Sequence, residues 1–289
     1  MRLCLLLVLS SCYLIAQDAD RDGLDDALED QLLARFAPTF LVSQGDCDSV
    51  PATFASNEAA PRVVARDGRI YGQVFRTGRF IEVHYYHLWS RDCGRGGHEL
   101  DSEHVSVLLQ APDWRAVYWY AAAHEGTLCN ASQGAPAGAL HAEKSGATVW
   151  ISSGKHASFL SAAACRSGCR ADLCENMTAL PRMPVVNLGE SGAPLNGAIW
   201  TAAAEWPLAA KMGSDFSPAV LEQLAEASQI VGMNHPPVIQ SIVAYSANPI
   251  GAAATGRDQT ASALTTAQQS VNRSLKLAGQ ATRKWLRRW

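Results

Sequence analysis

Between Arg62 and Leu188 the chain runs as short alternating segments broken by turn dipeptides, and this pattern restricts the fold more than any other feature. "RVVARDGRIYGQVF" reads as a hairpin around Asp67-Gly68, and "RTGRFIEVHYYHLW" adds a turn at Thr77-Gly78 before a long alternating strand. "SEHVSVLL", "RAVYWYAAA", "ATVWISS" and "PVVNL" supply further strands. Turn signals separate them, so the expectation is a mainly β protein, an antiparallel sandwich rather than a βαβ sheet. With 289 residues and 48% hydrophobic side chains, the chain can fill such a core. A net charge of -3 provides no field that would attract nucleic acid, and none is expected as a partner.

Helices flank the strands. "ALEDQLLARFA" stops at Pro38, and Ser217-Pro218 reads as N-cap and first-turn proline of "PAVLEQLAEASQIV", ending near Gly232. Ahead of them, Arg2 and "LCLLLVL" form an export signal too short to span a membrane, with cleavage near Ala16. "LSSC" offers lipid attachment at Cys12 as the alternative. The organisation expected is a signal peptide over 1–16, an acidic calcium-type loop and helix over 17–37, a β-sandwich over 38–206, and a helical C-terminal region packed on it over 207–289. The mature protein is expected to be secreted or periplasmic. In that setting Cys47, Cys93, Cys129, Cys165, Cys169 and Cys174 read as disulfides of open pairing, and "CRSGCRADLC" as a stapled loop rather than a zinc site. The terminal "RKWLRRW" alternates Arg283, Lys284, Arg287 and Arg288 with tryptophans. It suits peripheral contact with anionic lipid, or a docked helix whose cations complement its dipole; the second is preferred.

The most specific local motif is "DADRDGLDDALE". Asp18, Asp20, Asp22, Leu24, Asp26 and Glu29 occupy positions 1, 3, 5, 7, 9 and 12 of an EF-hand-type loop, with Gly23 at position 6. A hard cation needs that density of oxygens and a glycine that lets the loop close. The competing reading is a solvated acidic helix start, with Asp25 and Asp26 favourable against the helix dipole. Calcium is preferred, as a structural clip.

"GHELDSEHVSVLL" raises a second question, because it places Asp101 and Glu103 on the face that carries Val105, Val107 and Leu109. Side chains at i and i+2 stand about 7 Å apart on one face of a strand, so both carboxylates can lean over one ion or polyol. His98 precedes the strand, and His104 points to its other face. His124 and His156 follow later strands, and imidazoles and carboxylates at strand ends suit a second divalent cation of unknown identity. Each residue also has an ordinary role: Asp101 can cap a turn, Glu103 can pair with Lys155 or Arg95, and His156 can hold its loop.

"GHELDSEHVSV" resembles the GHRHDWE segment of the necrosis- and ethylene-inducing peptide-like proteins. "DSEHVSV", "YWYAAAHEGT" and "VWISSGKHASF", in that order, resemble segments of the vacuolar protein sorting-associated protein 62-like family, and "RFAPTFLVSQGDCDSVPATF" is similar to that family's opening. The match spans Arg35 to Phe159, with a continuation toward Trp206. The resemblance implies a β-sandwich with a divalent cation near one end, Asp101 and Glu103 at the acidic positions, and His124 and His156 at the later histidines; His98, which flanks the carboxylates, is a candidate additional ligand. Leu100 stands where the necrosis-inducing family has its second histidine and Ser102 where both have tryptophan; the first substitution removes a ligand and counts against plant-toxin activity.

The functional expectation is a cation-binding sandwich that recognises a polar extracellular ligand, a glycan or lipid headgroup, with aromatics around His84, Tyr85, Tyr86 and Trp89 offered for stacking or for the core. The alternative is a metal-dependent hydrolase or lyase with Glu103 as base. "GESGA" lacks the final glycine of a nucleophile elbow and runs into Pro194, which excludes a serine hydrolase of that type.

Overall fold

A computed structural model describes residues 17–229 except 95–96, 126–128, 170–171, 191 and 204–205. The signal segment with Cys12, Arg95, and the C-terminal RKWLRRW lie outside the described residues.

The first helix, α1 (Asp26–Phe36), starts where the Asp25 carboxylate accepts the Leu28 amide at 3.1 Å. It buries Glu29, Leu32, Leu33 and Phe36. The strands are β1 (Thr39–Ser43), β2 (Thr53–Phe54), β3 (Val63–Ala65), β4 (Ile70–Thr77), β5 (Phe80–Arg91), β6 (Glu99–Gln110) and β7 (Arg115–Ala121). They continue as β8 (Gln133–Pro136), β9 (Thr148–Ile151), β10 (Ser158–Phe159), β11 (Met177–Ala179), β12 (Val185–Asn187), β13 (Gly189–Glu190) and β14 (Ala193–Pro194). A short α2 (Ala162–Arg166) follows β10, and α3 (Pro207–Lys211) and α4 (Pro218–Gln229) follow β14.

One sheet has the order β12-β4-β5-β6-β7-β8 and the other β10-β9-β1-β11. Their facing side chains form one core: Phe40, Val42, Val149 and Ile151 from the smaller sheet meet Val83, Tyr85, Val105, Val107 and Trp119 from the larger. Helix α1 closes this core over β4, where Gly72 leaves room for Leu33; a Cβ at Gly72 would collide with the leucine. The outer face of the larger sheet is covered in turn, with Trp200, Trp206 and Leu208 over Tyr71 and Tyr86, and Phe216, Val220 and Leu224 over Tyr118 and Tyr120. Burial on both faces explains why nearly every residue of β5 and β6 is inside.

Three expectations change at this level. Among the described strands the sandwich is antiparallel except for two parallel pairs, β1 with β9 and β12 with β4, which long connections between the paired strands permit. The Asp67-Gly68 turn does not close a hairpin: β3 pairs with β2, while β4 pairs with β5 across Thr77-Gly78. His84, Tyr85, Tyr86 and Trp89 are all buried, so they pack the two faces of the sheet and offer no stacking surface. The cysteines pair as Cys47–Cys93, Cys129–Cys169 and Cys165–Cys174, the last closing the expected stapled loop.

Candidate metal centres

The acidic loop folds around its own carboxylates. Gly23 takes φ +89°, which a side chain resists, and its amide donates to Asp18 Oδ2 at 3.2 Å. The Leu24 amide donates to Asp22 Oδ1 at 2.7 Å and the Ala19 amide to Asp26 Oδ1 at 3.0 Å, while the Leu24 side chain joins the core. Carboxylate oxygens of Asp18, Asp20 and Asp22 lie within 4.8 Å of one another, as do those of Asp20, Asp26 and Glu29. Five oxygens in this group are buried without a hydrogen-bond partner: Asp18 Oδ1, both of Asp20, Asp22 Oδ2 and Glu29 Oε1.

Electrostatics follows from that crowding. Burial pushes the Glu29 carboxyl up to about 8, with further pressure from Asp20, Asp22 and Asp26 and relief from Asn187, whose amide donates to Glu29 Oε2 at 2.9 Å. Burial also raises Asp20 and Asp22, and their neighbouring acids add to it. The β13–β14 hairpin lies against the loop: a Cβ at Gly189 would come within 2.9 Å of Asp20 Oδ2. Next to it Glu190 is raised by burial too, its Oε1 unpartnered and its Oε2 accepting from Gln73 at 3.1 Å. Unpaired buried carboxylates are costly unless a cation or proton joins them, and this donor set is all oxygen, the chemistry of a hard divalent ion.

The second set of sequence-predicted residues is distributed over two neighbourhoods. His156, at the end of the sandwich, stacks on Trp89 at 4.0 Å between ring centres. Its Nε2 donates to the Asp48 carbonyl at 3.1 Å, which turns Nδ1 toward Asp101 Oδ2 at 3.3 Å. Glu103 is adjacent to Asp101 electrostatically, and among the described residues it pairs with Lys211, 3.6 Å away, in place of the Lys155 offered by the sequence. Lys155 instead pairs with Asp92 at 2.8 Å. His124 meets Asp172 at 2.7 Å, in the loop held by Cys169. Exposed His98 bonds the Leu100 carbonyl at 3.1 Å and stands 3.9 Å from Asp92. Asp101 and His156 are therefore together, while among the described residues no group of three metal-type donors within 4.8 Å joins any two of Asp101, Glu103, His124 and His156; His124 groups instead with Asp172 and the disulfide-bonded Cys169.

Burial pushes Glu103 up to about 8; Lys211 opposes this, and Asp101 and Glu125 add to it.

A third constellation was not singled out in the sequence. His84 and His104, from β5 and β6, stack in parallel on the outer face at 5.5 Å. Both turn Nε2 to Asp215 in the α3–α4 connection. His104 was visible in sequence only as the residue facing away from Asp101; the alternation that gives that fact also places His84 beside it, but Asp215 is more than a hundred residues away in sequence and carries no motif.

No family model matches the chain, and no curated protein matches it. Among solved structures, the chain is similar to NLPPya in complex with mannosamine (18% identity, TM-score 0.42, 73% of this chain and 93% of that one). It is similar to NLPPya in complex with glucosamine (19%, TM-score 0.41, 68% and 88%). A third is Necrosis and Ethylene inducing Protein 2 from the causal agent of cocoa's Witches Broom disease (17%, TM-score 0.40, 74% and 95%). Without a matching family model, the likeness to the sorting-associated family rests on motifs alone.

Proposed function

We propose that the chain is an exported β-sandwich protein that takes up calcium in the Asp18–Glu29 loop and recognises a polar extracellular ligand, a glycan or lipid headgroup, at the sandwich end around Asp101. One observation carries the calcium assignment: five buried carboxylate oxygens converge in that loop without a donor to satisfy any of them. Three disulfides support export, since such bonds persist in oxidising compartments. For the ligand, support comes from an acidic end of the sandwich where the carboxylates of Asp46, Asp92 and Asp101 gather around His156 and Lys155, with exposed His98 beside Asp92. Of these groups His98 is the exposed one, and a polar ligand would meet it first.

The test is calorimetric titration of chelator-treated mature protein with calcium, followed by a glycan and lipid-headgroup panel with calcium present and absent. The expected result is one calcium per chain, lost in Asp20→Asn, and ligand capture lost in Asp101→Asn while calcium uptake stays. No heat and no bound calcium would refute the cation assignment. Capture unchanged in Asp101→Asn would refute the location of the ligand site.

A further inference from the structure

The geometry points to a second, chemically different metal site on the outer face of the larger sheet: a first-row transition ion such as zinc held by His84, His104 and Asp215, with Glu82 beside His84. This site stands independently of the calcium loop. One ring nitrogen each of His84 and His104 and an Asp215 oxygen all lie within 4.8 Å of one another. His104 Nε2 is 3.0 Å and 3.2 Å from the two Asp215 oxygens, and His84 Nε2 is 3.7 Å from Asp215 Oδ2 and 2.7 Å from Glu82 Oε1. Tetrahedral zinc with bonds of about 2.0–2.1 Å sets its donor atoms roughly 3.3 Å apart. The three contacts to Asp215 straddle that spacing, and the one to Glu82 is shorter.

Burial and support agree with an ion at this point. Glu82, His84 and His104 are fully buried and Asp215 nearly so. The His84 and His104 rings lie parallel at 5.5 Å and 6°, side by side over the Asp215 carboxylate. The surrounding bonds are those of a supporting shell. Tyr86 donates to Gln73 Oε1 at 2.8 Å, so its oxygen is left to accept from His84 Nδ1 at 3.1 Å, which aims Nε2 inward. Ser106 donates to Asp215 Oδ2, and Ser214 and the Asp215 amide donate to Glu82 at 2.6 Å and 2.8 Å. Two imidazole nitrogens and a carboxylate suit zinc better than calcium. Three protein donors from β5, β6 and the α3–α4 connection would let the ion fasten the Ser214–Phe216 turn to the sheet.

Cobalt titration of the chelator-treated full chain tests this directly, because four-coordinate cobalt gives intense visible bands, and X-ray absorption on the zinc form counts imidazoles. One equivalent with visible bands and two imidazole ligands is the expected outcome, retained in Asp20→Asn and unaffected by excess calcium. Asp215→Asn and His104→Gln should reduce bound zinc from one equivalent to none. Folded wild-type chain that retains no zinc and develops no cobalt bands would overturn the proposal, leaving protons to hold the four groups. Zinc bound undiminished in both variants would overturn it too, by placing the ion elsewhere.

Discussion

Chelating the acidic loop should reverse the sign of the protein's pH dependence, and Glu29 sets the size of the effect. In the metal-free chain its carboxyl titrates at about 8, against an ordinary 4.5 when unfolded. Between those values the folded chain keeps a proton that the unfolded chain has shed, so stability is full below pH 4.5 and falls as pH rises toward 8. The slope for one proton is at most about 1.4 kcal/mol per pH unit, and the ceiling over the window about 5 kcal/mol. Shared protons among Asp20, Asp22 and Glu29 reduce that figure. For a chain of this size, half of the ceiling corresponds to a fall in Tm of about 5–10 °C. Calcium at a hundred times its Kd would add about 2.7 kcal/mol and favour the ionised form, so its benefit should grow from pH 5 to pH 8. Thermal unfolding at pH 5, 6, 7 and 8, with chelator and with calcium, measures both slopes. Glu29→Gln should flatten the chelated profile, because a neutral amide oxygen still accepts from Asn187 and carries no charge. A chelated Tm that is level or rises from pH 5 to 8, with no calcium shift, would show that the loop is a solvated acidic turn.

Two further perturbations probe the scaffold. Replacing Lys211 by Met leaves Glu103 buried beside Asp101 without its ion-pair partner; a loss of about 1–3 kcal/mol is expected, greater at pH 9 than at pH 6, read from urea midpoints. The disulfides should rank by the length of chain they close: Cys129→Ser with Cys169→Ser, a separation of 40, should cost about 4 kcal/mol, and Cys165→Ser with Cys174→Ser, a separation of 9, about 2.5 kcal/mol. Equal losses, or the reverse order, would mean that contacts around the bridges matter more than chain closure.

How much of this was legible in the sequence depended on how far apart the interacting residues lie. The alternation of β4 to β7 and the end of α1 ahead of Pro38 are local facts, and they appear where the sequence puts them. The acidic loop was legible for the same reason: its ligand positions fall within twelve residues, so spacing alone brings them together. Its Asn187 contact, from β12, could not be seen, because nothing in "PVVNL" marks the asparagine as a partner of Glu29. Parallel pairing of β12 with β4 was hidden likewise; a short apolar strand has no local signal for the direction of its neighbour.

The Asp101 region shows where period-two reasoning reaches its limit. Alternation correctly sets Asp101 and Glu103 on one face and His104 on the other, but a face is not a partner. Lys211 comes from α3, beyond the outer face, yet its ammonium reaches both the Ser102 carbonyl and Glu103. A long flexible cation can cross the end of a strand where short side chains cannot. His124 and His156 both follow strands, and both take positive φ, +56° and +53°. The loops nevertheless turn one toward Asp172 and the other toward Asp101. On the opposite face, where the sequence showed only a histidine pointing away, His84 and His104 meet Asp215. Charged side chains in β5 and β6 are buried on both sides, so each needed a counterpart from a later segment. The C-terminal connection supplies two of them, Lys211 and Asp215, and thereby joins the electrostatics of the sheet to the docking of the helices above it.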